Sequence, residues 1–203
     1  MKFSPRQSAK IGETTIAHNL SAFHQVKGPE FQSGGRMGLL IYPIVSYFKF
    51  FSSDPSAVKI LIVGCRSEDD VYWMRSYGFP LTYGFDLFSY SPHVIAGDIH
   101  QTDFQDAVYD VVMIGWMISY SKDPATVIKE CRRILKPGGL LGIGLDHDPL
   151  QDRSGISPPR VNTLNSTADI IKLMDSALTH KIVFEYDHYN KDDYRSVVIS
   201  KLI

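Results

Sequence analysis

The feature that most restricts the fold lies between Val58 and Leu145, where short apolar runs alternate with segments of helical periodicity. The run VKILIV, Val58 to Val63, has no polar alternation and is rich in β-branched residues, as a strand buried on both faces requires. Tyr109 to Gly115 (YDVVMIG) and Leu140 to Leu145 are of the same kind, and Leu81 to Phe85 and His93 to Ala96 are shorter versions. Between them, Glu68 to Tyr77 reads as a helix with Val71, Met74 and Tyr77 turned inward. A second helix opens at Asp123-Pro124, where Asp caps and Pro occupies the first turn without losing a hydrogen bond. Its stripe is Val127, Ile128, Cys131, Ile134 and Leu135, and Lys136-Pro137-Gly138-Gly139 stops it. Strands that alternate with helices form a parallel sheet with right-handed crossovers. The expected class is α/β, a doubly wound and mostly parallel sheet.

Ser166 to Asp169 reads as a capping box for a last helix, with Ile170, Leu173, Met174, Ala177 and Leu178 as its inner stripe. Lys181 to Tyr189 and Arg195 to Leu202 then form a C-terminal antiparallel hairpin about a turn at Asn190 to Asp193. Residues 1 to about 36 show weak periodicity and end in a flexible joint, Ser33-Gly34-Gly35-Arg36. Met37 to Phe51 reads as a helix beside the sheet, closed by Asp54-Pro55. The expected division is residues 1–54 as a helical or irregular N-terminal cap and 55–203 as the α/β domain. The greasiest stretch, Gly38 to Phe51, contains Pro43 and Lys49 and is shorter than the roughly 20 apolar residues a bilayer span needs. A net charge of −1 supplies no global attraction for nucleic acid or anionic membrane. Two cysteines, Cys65 and Cys131, could pair in principle but suggest neither a disulfide framework nor a zinc site, and the stretch Met1 to Arg6 lacks the apolar core expected of a signal peptide. A cytoplasmic setting is expected, with homo-oligomerisation left open.

In such sheets ligands bind beyond the carboxyl ends of the strands. Gly64 follows the first strand, and Cys65-Arg66-Ser67-Glu68 leads into a helix whose first amides are unpaired donors. Asp86, followed by Leu87, ends the second strand, where a carboxylate can accept bonds from both hydroxyls of a ribose. Asp98 and Ile99 follow the third strand, and Gly115 and Trp116 the fourth. Phe88, Ser89 and Tyr90 read as a short exposed loop. Asp146-His147-Asp148 follows the fifth strand, and His147, flanked by acids, is a weak candidate for a general base. No serine elbow, phosphate loop or zinc ligand pairing is visible.

The order YDVV, Asp123-Pro124 and Arg132-Arg133-Ile134-Leu135-Lys136-Pro137-Gly138-Gly139 resembles the class I S-adenosylmethionine-dependent methyltransferases, of the type 11 kind, over roughly residues 55 to 145. The resemblance implies a seven-stranded Rossmann-like methyltransferase fold and S-adenosylmethionine as cofactor. It implies that Asp86 holds the ribose, that Asp98 meets the adenine amino group, and that Ile99 packs on the base. The turn from Gly64 would contact the methionine end. The stretches GCRSEDD, DLFSYSP and GDIH resemble a divergent subgroup found among bacterial surface-sugar genes.

The first motif departs from the family pattern. An acidic residue, one apolar residue and G-x-G-x-G are expected, and the chain has Ile62-Val63-Gly64-Cys65-Arg66-Ser67-Glu68. Glu68 or Asp69 can replace the missing acid toward the cofactor's ammonium group, and Arg66 can neutralise its carboxylate. The expected activity is methyl transfer to a small, polar or sugar-like acceptor. The alternative is a catalytically inactive partner that keeps the fold. A nicotinamide-dependent oxidoreductase is disfavoured, because Glu68 and Asp69 stand where the pyrophosphate would lie.

Overall fold

The computed structural model describes residues 6–7, 36–52, 54–65, 68–89, 91–147, 162–190 and 193–203. Seven strands form one sheet: β2 (Ile60–Val63), β3 (Thr82–Asp86), β5 (Val94–Ala96), β6 (Tyr109–Gly115), β7 (Leu135–His147), β8 (His180–Asn190) and β9 (Asp193–Leu202). Their order is β5-β3-β2-β6-β7-β9-β8. The first five are mutually parallel, whereas β9 is antiparallel to both β7 and β8. The order reverses between β2 and β6, which sets a topological switch point beside the end of β2.

Parity within β2 divides the core. Ile60 and Ile62 face a cluster with Leu40, Ile41 and Ile44 of helix α1 (Gly38–Phe51) and Val71, Trp73 and Met74 of helix α2 (Asp69–Ser76). Leu61 and Val63 face the opposite cluster, with Val127, Ile128, Cys131 and Ile134 of helix α3 (Pro124–Ile134) and Ile170 and Met174 of helix α4 (Thr167–Asp175). Ile60 to Ile62 are fully buried, so the strand has no solvent face, as its sequence pattern required. Both expected caps form: the Asp123 carboxylate accepts from Thr126 N, and the Ser166 hydroxyl from Asp169 N.

Lys136-Pro137-Gly138-Gly139 does more than end α3. β7 starts at Leu135 beside Tyr109, and the register then slips so that Leu140 pairs with Val111. Gly138, at φ +74°, lies in the resulting bulge. Lys136 Nζ donates to both Asp110 carboxylate oxygens at 2.8 Å, and Asp110 also accepts from Lys59 N at 2.8 Å. The acid of YDVV and the lysine of LKPGG thus lock the amino-terminal ends of β2, β6 and β7 together, far from the ligand edge.

One expectation needs correction, and one helix shows more than its sequence did. Phe88 and Ser89 are not an exposed loop: they form β4 (Phe88–Ser89), which pairs antiparallel with β1 (Arg6–Gln7) and is about 2% exposed. Both segments are too short to show a period. α1 also buries only one side, leaving Phe50 and Phe51 87% and 76% exposed at its end.

The segment after β5 is anchored to α3 through Glu130. Its Oε1 accepts from Thr102 N, Thr102 Oγ1 and Arg133 NH2, and its Oε2 accepts from Arg133 Nε. Arg133 and Thr102 hold the carboxyl down at about 2. A depressed carboxylate stabilises the fold above its unfolded value, and loses that contribution as pH falls through the folded one. Glu130→Gln is therefore expected to cost about 1–3 kcal/mol at pH 7. The cost should shrink between pH 4.5 and 2, as urea titrations across that range would show.

Candidate cofactor site

The carboxyl ends of β2, β3, β5 and β6 bring Gly64, Asp86, Asp98 and Gly115 to one edge of the sheet. Gly64 takes φ +74°. A Cβ there would stand 2.6 Å from Cγ of Met117, so this turn is glycine for conformation and for space. Asp86 accepts from Leu87 N at 2.7 Å, and its carbonyl accepts from Gly97 N at 2.8 Å.

Asp98 Oδ1 receives two donors from His100, the backbone N at 2.9 Å and Nδ1 at 2.6 Å. Ile99 is 3% exposed and packs in the core beneath α3 and α4. Cys65 is buried as well, its sulfur filling the space a side chain on Gly84 would need. Burial pushes its thiol well above the usual value, and Asp86 and Asp70 add to the effect. It is an inert packing group, and only its backbone can meet a ligand. Arg66 and Asp148 lie outside the described residues. The backbone of His147 pairs with Tyr194 at the end of β7, and its side chain is outside them too.

Of the acids that open helix α2, the one whose carboxyl is raised is not one the sequence singled out. Ile62, where the family pattern has an acidic residue, is fully buried. The Glu68 carboxylate is engaged by the Ser91 hydroxyl, and Asp69 is exposed. Asp70 turns inward instead. Burial pushes its carboxyl up to about 7, the neighbouring Asp69 adds to the rise, and Arg36 opposes it. Strongly raised carboxyls gather at functional sites. The available signal was helical: Asp70 is four residues before buried Met74, so it shares the inward face that Asp69 leaves.

Arg36, read from sequence as part of a flexible joint, roofs this edge. Its guanidinium pairs with Asp146 and lies 5.3 Å over the Trp116 ring. Trp116 has φ +58°, rare for a bulky residue, and its ring packs against Gly144. Its buried indole N–H has no partner among the described residues. Strain of this kind gathers at ligand sites. The site therefore offers acceptors, Asp86, Asp98 and Asp70, to hydroxyl, amino and ammonium donors, which matches the donor set of S-adenosylmethionine. Among the described residues no group of three or more His, Cys, Asp or Glu could hold a metal.

Residues 63–143 match the methyltransferase domain family. No curated protein matches the chain in sequence. A SAM-dependent methyltransferase from Aquifex aeolicus is similar in structure, with a TM-score of 0.60 at 13% identity over 90% of this chain and 98% of its own. A Pyrococcus horikoshii protein is similar at a TM-score of 0.63, 17% identity, 90% of this chain and 99% of that one. The [4+2]-cyclase SpnF shares the fold at 0.58 and 15% identity, over 81% and 80%. The fold is that of the class I SAM-dependent methyltransferases, and over residues 63–143 the chain is similar to the methyltransferase domain family. The cofactor this domain implies is S-adenosylmethionine.

Proposed function

We propose that the protein transfers a methyl group from S-adenosylmethionine to a small, polar, sugar-like acceptor. The observation that carries the reading is the placement of Asp86 and Asp98 at the carboxyl ends of β3 and β5 and of Asp70 in the first turn of α2, the helix that follows β2. Asp86 holds the ribose hydroxyls, Asp98 the adenine amino group, and Asp70 the ammonium group that Ile62 cannot serve. Arg36 lies beside Asp70 and suits the cofactor's carboxylate. Gly64, Cys65 and Glu68 line the methionine end through backbone, Leu87 and Ile99 lie about the adenosine, and Gly115 and Trp116 form the wall.

When bound, the cofactor supplies an electrophilic methyl carbon on a sulfonium, so the chain's main task is to align an acceptor in line with it. Trp116 and the turn Ile118–Tyr120 wall the acceptor side. Residues 1–54 are proposed to cap the domain, and the two free buried cysteines suit a cytoplasmic setting. Among the described residues no helix is long and apolar enough to cross a membrane.

Calorimetry with S-adenosylhomocysteine tests the reading, since micromolar binding supports it. No binding at millimolar ligand would overturn it and leave the inactive-partner alternative. Asp86→Ala is expected to weaken that binding by about 1–3 kcal/mol, the scale of hydrogen bonds to a charged acceptor. Unchanged affinity would place the ribose elsewhere.

A further inference from the structure

His100 joins the adenosine edge to the acceptor wall. Its Nδ1 lies 2.6 Å from Asp98 Oδ1 and its Nε2 2.8 Å from Ser121 Oγ. Ser121 Oγ accepts from Asp123 N at 3.1 Å. Asn162 Nδ2 clamps the same turn by donating to the carbonyls of Ile118 (2.9 Å) and Ser121 (3.1 Å). One hydrogen assignment satisfies every atom. The carboxylate can only accept, so Nδ1 carries the proton, and Ser121 gives its single O–H to a neutral Nε2. Ser121 is 3% exposed, which places this end of the chain inside the protein.

This pattern has a chemical consequence at the far end. Asp98 Oδ1 is taken by two donors of His100, whereas Oδ2 has no partner among the described residues. The free oxygen is a fixed acceptor at the rim. It welcomes an N–H and repels a carbonyl. We propose that His100 is the positioning residue that sets the site's preference for a 6-amino over a 6-oxo purine, and that ties this preference to the 118–121 turn. The assignment rests on the proposed cofactor reading and adds to it a residue with no contact to the nucleoside.

The test compares S-adenosylhomocysteine with its 6-oxo analogue, S-inosylhomocysteine, by calorimetry, alongside thermal melts. Wild type should favour the amino compound by about a hundredfold or more, because a site built to bond a polar group rejects the analogue that cannot. His100→Leu keeps the backbone N–H bond to Asp98 but loses the Nδ1 donor and should lose at least about tenfold of that ratio, and His100→Asn, which keeps a side-chain donor toward Asp98, should retain most of it. A second variant guards against a misfolded His100→Leu. In Asp98→Asn, the two His100 donors hold the amide oxygen inward and turn its NH2 outward, so the preference should shift toward the 6-oxo compound. A ratio unchanged in His100→Leu, or unmoved in Asp98→Asn, would overturn the assignment while leaving the cofactor reading intact. A merely structural histidine would lower the melting temperature and leave the ratio alone. Wild type that bound neither compound would overturn both.

Discussion

Asp70→Asn should raise stability by about 2–4 kcal/mol at pH 8 and change it little near pH 4. The carboxyl moves from an ordinary 3.8 to about 7, chiefly through burial. Between those values the folded state holds a proton that the unfolded chain has released, so wild-type stability falls as pH rises across this window. A tenfold change in proton affinity is worth about 1.4 kcal/mol, which makes roughly 4 kcal/mol the upper bound above pH 7. Asparagine has nearly the same shape and no charge to bury. Urea titrations of both proteins from pH 4 to 8 should diverge with rising pH, and parallel curves would place Asp70 in solvent. The same variant tests the binding role. An ammonium group beside Asp70 would favour its ionised form, so cofactor binding should release a proton near pH 7 and strengthen toward pH 8. Calorimetry in buffers of different ionisation heats measures that proton, and Asp70→Asn should abolish it. The stabilised variant would bind more weakly, a trade between stability and function.

Gly64→Ala should destabilise the fold by about 2–4 kcal/mol. Its φ of +74° costs an L residue about 1–2 kcal/mol. The new methyl would also meet Met117 at Cγ and at Cβ, 2.6 and 2.8 Å away. The two costs are separable. Met117→Gly removes both Cγ and Cβ but not the backbone strain at position 64, so the double variant should recover only part of the loss. Full recovery would mean that the turn tolerates a side chain and that sterics alone demanded glycine. Because Met117 follows Trp116 on the wall, displacing it should also raise the KM for any acceptor.

The sequence made the sheet legible because buried parallel strands and amphipathic helices write different periods. Tyr109 to Gly115 matched residue for residue, and both helix caps formed where Asp123 and Ser166 stood. The hairpin was readable from its polar turn. What stayed hidden depends on contacts distant in sequence. β4 is two residues long and exists through its pairing with Arg6–Gln7. Arg36 acquires meaning only through Asp146, 110 positions away. Asp98 and Asp86 could be placed by strand ends, but which carboxylate oxygen faces outward depended on His100. In the run Glu68-Asp69-Asp70 the letters favoured the first two, whereas the raised carboxyl is the third. The Asp110–Lys136 lock shows the converse: the most recognisable letters of the chain serve its closed end rather than its chemistry.

The position of β9 between β7 and β8 imposes an order on assembly. Among the described residues β8 has β9 as its one neighbour in the sheet, yet β9 is made after it. A growing polypeptide that has reached Asn190 holds eleven residues of strand with nothing to pair against, Ile182, Val183 and Tyr186 among them. Until the final strand arrives and slots in as a keystone, the flank of β7 stays open to any stray extended segment. Premature release before Asp193 would thus yield a sticky product rather than a slightly shortened domain.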